Sequence, residues 1–193
     1  MIISLRGTNG SGKSYLVKKL MQRYDATPHG EDRRGKPLGY TMMLGNGSTL
    51  CLVGRYDIAC GGCDSIQPYD DIWPRVELMY TLGDHVLFEG ALVSSGYGRI
   101  GIASEAFGDD FVFTFLDTPL QTCIDNIQKR RESRGKGDKP MTNKTKKNVA
   151  QKMRAVDLSI INIRQNHKRR ILILDHRKAI PQLLGFLYTG GKC

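Results

Sequence analysis

A chain of 193 residues with 40% hydrophobic residues is long enough to close one sizeable core and is read as a single domain, residues 1–193. No apolar run reaches the roughly 20 residues of a membrane helix, and five cysteines, an odd number, argue against a disulfide framework and fit a reducing cytoplasm. The net charge of +10 is unevenly spread: residues 1–125 hold 11 Lys+Arg and 15 Asp+Glu, residues 126–193 hold 18 and 4, which suits a polyanionic partner such as nucleic acid, or a basic lid beside a solvated helix face.

The first element is the apolar run Met1–Leu5, a strand with no leader expected before it. Gly7-Thr8-Asn9-Gly10-Ser11-Gly12-Lys13-Ser14 follows and reads G-x-x-x-x-G-K-S. The helical pattern Tyr15–Met21 comes next, so the motif has the strand–loop–helix setting of a phosphate-binding loop. Gly7, Gly10 and Gly12 permit turns closed to other residues, and successive N–H groups then surround a triphosphate. The helix N-terminus adds a positive dipole. Lys13 is expected on the β- and γ-phosphates and the Ser14 hydroxyl on Mg²⁺.

Residues 25–39 are polar and rich in Gly and Pro, hence a loop. Tyr40–Leu44 and Thr49–Val53 flank Gly45-Asn46-Gly47-Ser48 as a small β-hairpin insertion. A Gly- and Cys-rich loop runs from Gly54 to Pro68. A helix is expected over Tyr69–Leu82, with Ile72, Val76 and Met79 inward and Tyr80 and Leu82 as further candidates. A buried strand follows at His85–Glu89, then an irregular and later helical stretch over Ser94–Phe107. Phe111–Leu116 is apolar enough for a central parallel strand. Pro119 opens a helix with Leu120, Cys123, Ile124 and Ile127 inward. The polar stretch Arg130–Lys146 is expected to be mobile. A long helix over Thr145–Asn166, a strand Arg170–Leu174 and a closing helix near Ile180–Leu187 complete an α/β fold with a mostly parallel sheet flanked by helices.

Parallel sheets bind ligands at the carboxyl ends of their strands. Glu89, Asp117 and Asp175 lie at such ends. Glu89 is the expected carboxylate opposite Ser14 for Mg²⁺. Asp117 competes for that role or caps the next helix. Asp175 is structural or lies near the nucleotide base. In the loop Gly54–Asp64, Arg55 suits a phosphate and Tyr56 a stacked base. Asp57 or Asp64 suits a general base, with Asp57 taken as the catalytic residue. Cys60-x-x-Cys63 lacks the further ligands zinc requires, and the loop is read as the acceptor site, the alternative being a tight surface loop whose cysteines simply pack. Arg130 and Arg134, one helical turn apart beside Gly135 and Gly137, form an Arg-rich lid over about 130–146 that closes on the transferring phosphate, unless they are a solvated helix end.

These residues resemble the nucleoside-monophosphate-kinase group of P-loop kinases, especially thymidylate-kinase-like proteins. The resemblance is carried by the N-terminal loop, Leu116-Asp117-Thr118-Pro119, Arg130–Arg134 and the last strand and helix. It implies the P-loop NTPase fold. The Asp-Arg-Tyr/His element usual in thymidylate kinases is absent where Phe88-Glu89-Gly90 stand. Cys60-Gly61-Gly62-Cys63-Asp64 and Val86-Leu87-Phe88-Glu89-Gly90 are similar instead to bacteriophage P-loop kinases, among them the 5-hydroxymethyl-deoxyuridine DNA kinases. That resemblance implies an ATP- and Mg²⁺-dependent phosphotransferase acting in the host cytoplasm on the hydroxymethyl group of 5-hydroxymethyl-deoxyuridine in DNA. Two other expectations stand beside it: a deoxynucleoside monophosphate kinase of a nucleotide precursor pathway, and a nucleotide-switched binding module.

Overall fold

The computed structural model describes residues 1–58, 61–91, 93–94, 98–135 and 141–191. Strand β1 (Ile2–Arg6) leads into helix α1 (Lys13–Arg23). Strands β2 (Thr27–Glu31), β3 (Pro37–Met43) and β4 (Thr49–Val53) follow, then α2 (Ile72–Tyr80), β5 (His85–Glu89) and α3 (Gly98–Glu105). Strand β6 (Phe111–Asp117), helices α4 (Leu120–Glu132) and α5 (Asn143–Gln165), strand β7 (Arg170–Asp175) and helix α6 (Ala179–Tyr188) complete the chain.

The strands form one seven-stranded sheet in the order β2-β3-β4-β5-β1-β6-β7. Five of them, β4 to β7 with β1 at the centre, run parallel. β1 is buried along its whole length, which is why it reads as unbroken apolar sequence. Its pleat sends Ile3 and Leu5 to one face and Ile2 to the other. On the first face they join Leu16, Val17 and Leu20 of α1 and Leu183 and Leu187 of α6. On the second, Ile2 joins Phe111, Phe113 and Phe115 of β6, Ile72, Val76 and Met79 of α2 and Val156 and Ile163 of α5. Because these five strands run parallel, the carboxyl ends of β1, β4, β5, β6 and β7 share one edge.

Three expectations need correction. Residues 25–39 are not all loop: β2 occupies Thr27–Glu31 and pairs antiparallel with β3. β2 is an edge strand with four of five residues exposed, so it carries no buried face and no alternation to read. The β3–β4 hairpin is real but is no insertion, because Leu50, Cys51 and Leu52 of β4 pair in parallel with β5. α2 ends at Tyr80, and Leu82 is exposed. In the stretch expected as a lid, Arg130 belongs to α4, and α5 begins at Asn143 with the Thr142 hydroxyl accepting from the Thr145 N–H at 3.2 Å. Residues 136–140, the middle of that stretch, lie outside the described residues, as does Cys60. Among the described residues, no helix is long and apolar enough to cross a membrane.

Candidate active site

The turn between β1 and α1 is Gly7–Gly12, and its shape depends on glycine. Gly10 has φ +81° and Gly12, the N-cap of α1, has φ +101°, conformations that side chains resist. A Cβ on Gly10 would lie 2.3 Å from the Cys123 carbonyl oxygen, so the glycine also admits α4. Three polar contacts hold this packing. The Asn126 amide donates to the Gly10 carbonyl at 2.9 Å, the Thr118 hydroxyl donates to the Ser11 carbonyl at 2.9 Å, and the Thr8 hydroxyl donates to the Val149 carbonyl at 3.4 Å. The loop is thus fastened to α4, to α5 and to the turn after β6.

Within the loop, Lys13 Nζ donates to the carbonyls of Gly7 at 2.7 Å and Thr8 at 3.2 Å. Burial lowers the Lys13 pKa, and the neighbouring Glu89 opposes that shift. The Ser11 hydroxyl is buried with no hydrogen-bond partner. An orphaned donor beside a buried lysine at a helix N-terminus fits a phosphate oxygen.

Ser14, at the start of α1, donates its hydroxyl to Glu89 Oε1 at 2.8 Å. Glu89 ends β5 and is 1% exposed. Burial pushes its carboxyl up to about 7, and Lys13 and the Ser14 hydrogen bond pull the other way. This pair suits a hard cation, because both contacting atoms are oxygen and Mg²⁺ is usually bound by one or two carboxylates together with substrate phosphates. Among the described residues no group of three or more His, Cys, Asp or Glu could hold a metal alone.

The loop, Ser14 and Glu89 line a cavity of about 880 Å³, and Asp64, Arg130 and His176 line it as well. Both carboxylate oxygens of Asp64 accept from the Ala91 N–H, at 2.8 and 3.0 Å, which ties the loop after β4 to the end of β5. Asp57 is placed differently. It forms a two-point ion pair with Arg55, at 3.0 Å to Nε and 2.7 Å to Nη2, and the Arg55 guanidinium holds its carboxyl below the usual range. It is not among the residues lining the cavity. Tyr56 is 4% exposed and meets Tyr40 edge-on at 6.2 Å, so its ring packs in the core instead of standing ready for a base. Cys63 is fully buried, which pushes its thiol well up.

Arg130 faces the cavity from α4, whereas Arg134, beyond the end of α4, is exposed and does not line it. Asp175 caps the turn after β7 by accepting from the Arg177 N–H at 2.8 Å. The Asp117 carbonyl accepts from the His176 N–H at 3.1 Å. Together they set His176 and Arg177 on the cavity wall. Sequence reasoning passed over His176, Arg177, Asn126 and Lys18. The first two directly follow the strand end at Asp175, and Asn126 precedes Arg130 by one helical turn, so strand-end and helix-face spacing already pointed at them. Lys18 bridges to the Ile58 carbonyl at 2.9 Å, a long-range contact with no local signal.

No family model matches the chain. Several curated phage proteins do, among them the following three. The chain is 40% identical over 144 residues to the 5-hmdU DNA kinase of Pseudomonas phage PaMx11, an alignment covering 74% of this chain and 75% of that protein. It is 32% identical over 149 residues to the 5-hmdU DNA kinase of Pseudomonas phage M6, covering 72% and 74%. It is 29% identical over 174 residues to the 5-hmdU DNA kinase of Delftia phage PhiW-14, covering 82% of this chain and 62% of that protein.

Proposed function

Since the chain belongs to the family of phage 5-hmdU DNA kinases, we propose that it transfers the γ-phosphate of ATP to the hydroxymethyl group of 5-hydroxymethyl-deoxyuridine in DNA, in the host cytoplasm. The observation that carries the phosphate-donor half of this reading is the Gly7–Ser14 loop with its buried Lys13 and the Ser14–Glu89 pair at 2.8 Å.

Each residue then has a task. The loop N–H groups and the Ser11 hydroxyl bind the phosphates, which makes this a P-loop enzyme. Lys13 exchanges its carbonyl partners for β- and γ-phosphate oxygens. Ser14 and Glu89 hold Mg²⁺, which supplies charge neutralisation on the phosphates. Arg130 lies against the transferring group from the α4 side, and Arg134 joins it when the helix end closes. Asp64, on the wall that also carries Glu89, orients the acceptor hydroxyl and accepts its proton. It takes the role first read into Asp57, which is ion-paired to Arg55 and does not line the cavity. These groups line a cavity, and the acceptor base is taken to leave the stack and enter it, which brings its hydroxymethyl group to Asp64.

The test is incubation with labelled ATP and a panel of hydroxymethyl-modified DNA, unmodified DNA and free deoxynucleotides. Label in modified DNA alone is expected. Label in a free deoxynucleoside monophosphate and none in modified DNA would replace this reading with that of a precursor-pathway kinase.

A further inference from the structure

Helices α4 and α5 pack on each other through Cys123, Ile127 and Val149, with Met141 just before α5 in the same cluster, and the surface they leave outward is basic. From Leu120 to Gly135 and from Met141 to Asn166 stand ten Lys and Arg against three Asp and Glu. α5 commits one face to the fold, burying Val149, Val156, Ser159 and Ile163. The opposite stripe, at helical spacing, begins Lys144, Lys147, Gln151, Arg154, and all four are exposed. Ten residues of helix separate Lys144 from Arg154, about 15 Å.

The position of these charges costs the helix stability. The N-terminal end of a helix carries a partial positive charge and favours acidic side chains. The first turn of α5 holds no acidic residue and instead presents Lys144 and Lys146, with Lys147 directly after them. On the α4 side this surface adjoins the cavity, whose wall takes Arg130 from α4; α5 meets the loop through its buried face, where Thr8 donates to the Val149 carbonyl, and turns the lysine stripe outward.

We propose that this α4–α5 face, led by Lys144, Lys147 and Arg154, holds the phosphate backbone of DNA while the acceptor base enters the adjoining cavity. The surface rests on the reading of the chain as a DNA-acting kinase and adds to it the place where the polymer lies. A stripe about 15 Å long meets several consecutive phosphates of one strand. Lysines on phosphates carry no sequence information, so specificity is left to the modified base.

The test compares K144Q/K147Q/R154Q with R33Q/R34Q/K36Q, a triple of equal charge change on the exposed turn between β2 and β3. The probe is a fluorescein-labelled duplex of unmodified DNA, titrated by anisotropy from low to moderate salt. ATP affinity serves as a fold control. The α5 triple is expected to bind ATP as the parent does, to lose roughly tenfold or more in DNA affinity at low salt, and to show a log-affinity against log-salt slope shallower by up to about 2.7, three contacts at about 0.9 each. The turn triple is expected to keep the parent slope. Equal slopes for the α5 triple and the parent, or equal losses in both triples, would overturn the surface. Its failure is separable from that of the proposed function. If the parent binds DNA through this face but never labels modified DNA, the function falls and the surface stands. If the parent labels modified DNA and the α5 triple does so with unchanged KM, the surface falls alone.

Discussion

Replacing Gly10 with alanine tests how the phosphate loop and α4 depend on each other. The added Cβ meets the Cys123 carbonyl oxygen at 2.3 Å and Ile127 Cγ1 at 2.9 Å. Helix backbone cannot yield as a side-chain tip does, so loop and α4 must part by roughly 1 Å. Parting stretches the Asn126–Gly10 and Thr118–Ser11 hydrogen bonds, both 2.9 Å. Each such bond is worth about 1 kcal/mol, and a side chain at φ +81° adds about 1 kcal/mol of backbone strain. The sum is a loss of about 3 kcal/mol, a large share of a typical domain's stability. Gly12→Ala is the control. Its φ is +101°, but its Cβ meets nothing closer than Leu116 Cδ2 at 3.8 Å, so it pays only the strain, about 1 kcal/mol. Urea unfolding of nucleotide-free protein, followed by circular dichroism, measures both. Gly10→Ala should also weaken ATP binding, because Arg130 moves with α4. If the two variants unfold at the same urea concentration, the claim that α4 is seated on Gly10 is wrong.

Five further outcomes follow from the site. Glu89→Gln should lower kcat by about 10²-fold or more while ATP still binds. The same residue sets a pH dependence in Mg²⁺-free buffer: its carboxyl is raised from 4.5 to about 7 in the folded protein, so the native state binds the extra proton and stability declines as pH rises through that window. The decline is up to about 3 kcal/mol from this group, and Glu89→Gln should remove it; identical slopes in parent and variant would refute the buried-acid assignment. Arg130→Ala should cost on the order of 10²-fold in kcat and Arg134→Ala much less, and the reverse order would show that the cavity wall is not where the transferring group lies. Asp64→Asn should abolish most transfer at saturating ATP, whereas Asp57→Asn should leave kcat within a fewfold; steady-state assays on modified DNA decide between them. Modified DNA with the target base mismatched or single-stranded should be used more efficiently than the paired duplex, since unstacking is then cheaper, and equal kcat/KM on both would argue against base extrusion.

The loop Gly7–Ser14, the buried strands β1, β5 and β6, and the strand-end carboxylate Glu89 were legible in the chain because each depends on neighbours in sequence. Turn glycines, unbroken apolar runs and a charged residue closing such a run are local facts. The resemblance to phage DNA kinases, carried by short local segments, was legible on the same footing. β2 was not, because an edge strand with exposed side chains is defined by the partner it pairs with. Nor could sequence choose between Asp57 and Asp64. They stand seven residues apart on one loop, and only the fold turns one toward Arg55 and ties the other to the end of β5 through the Ala91 N–H. The same holds for the cations. Composition shows that the last third is strongly basic, but whether Arg130 lines the cavity while Lys144, Lys147 and Arg154 form an outer stripe is decided by how α4 and α5 pack, since helix phase fixes relative direction and only tertiary contact fixes which side faces in.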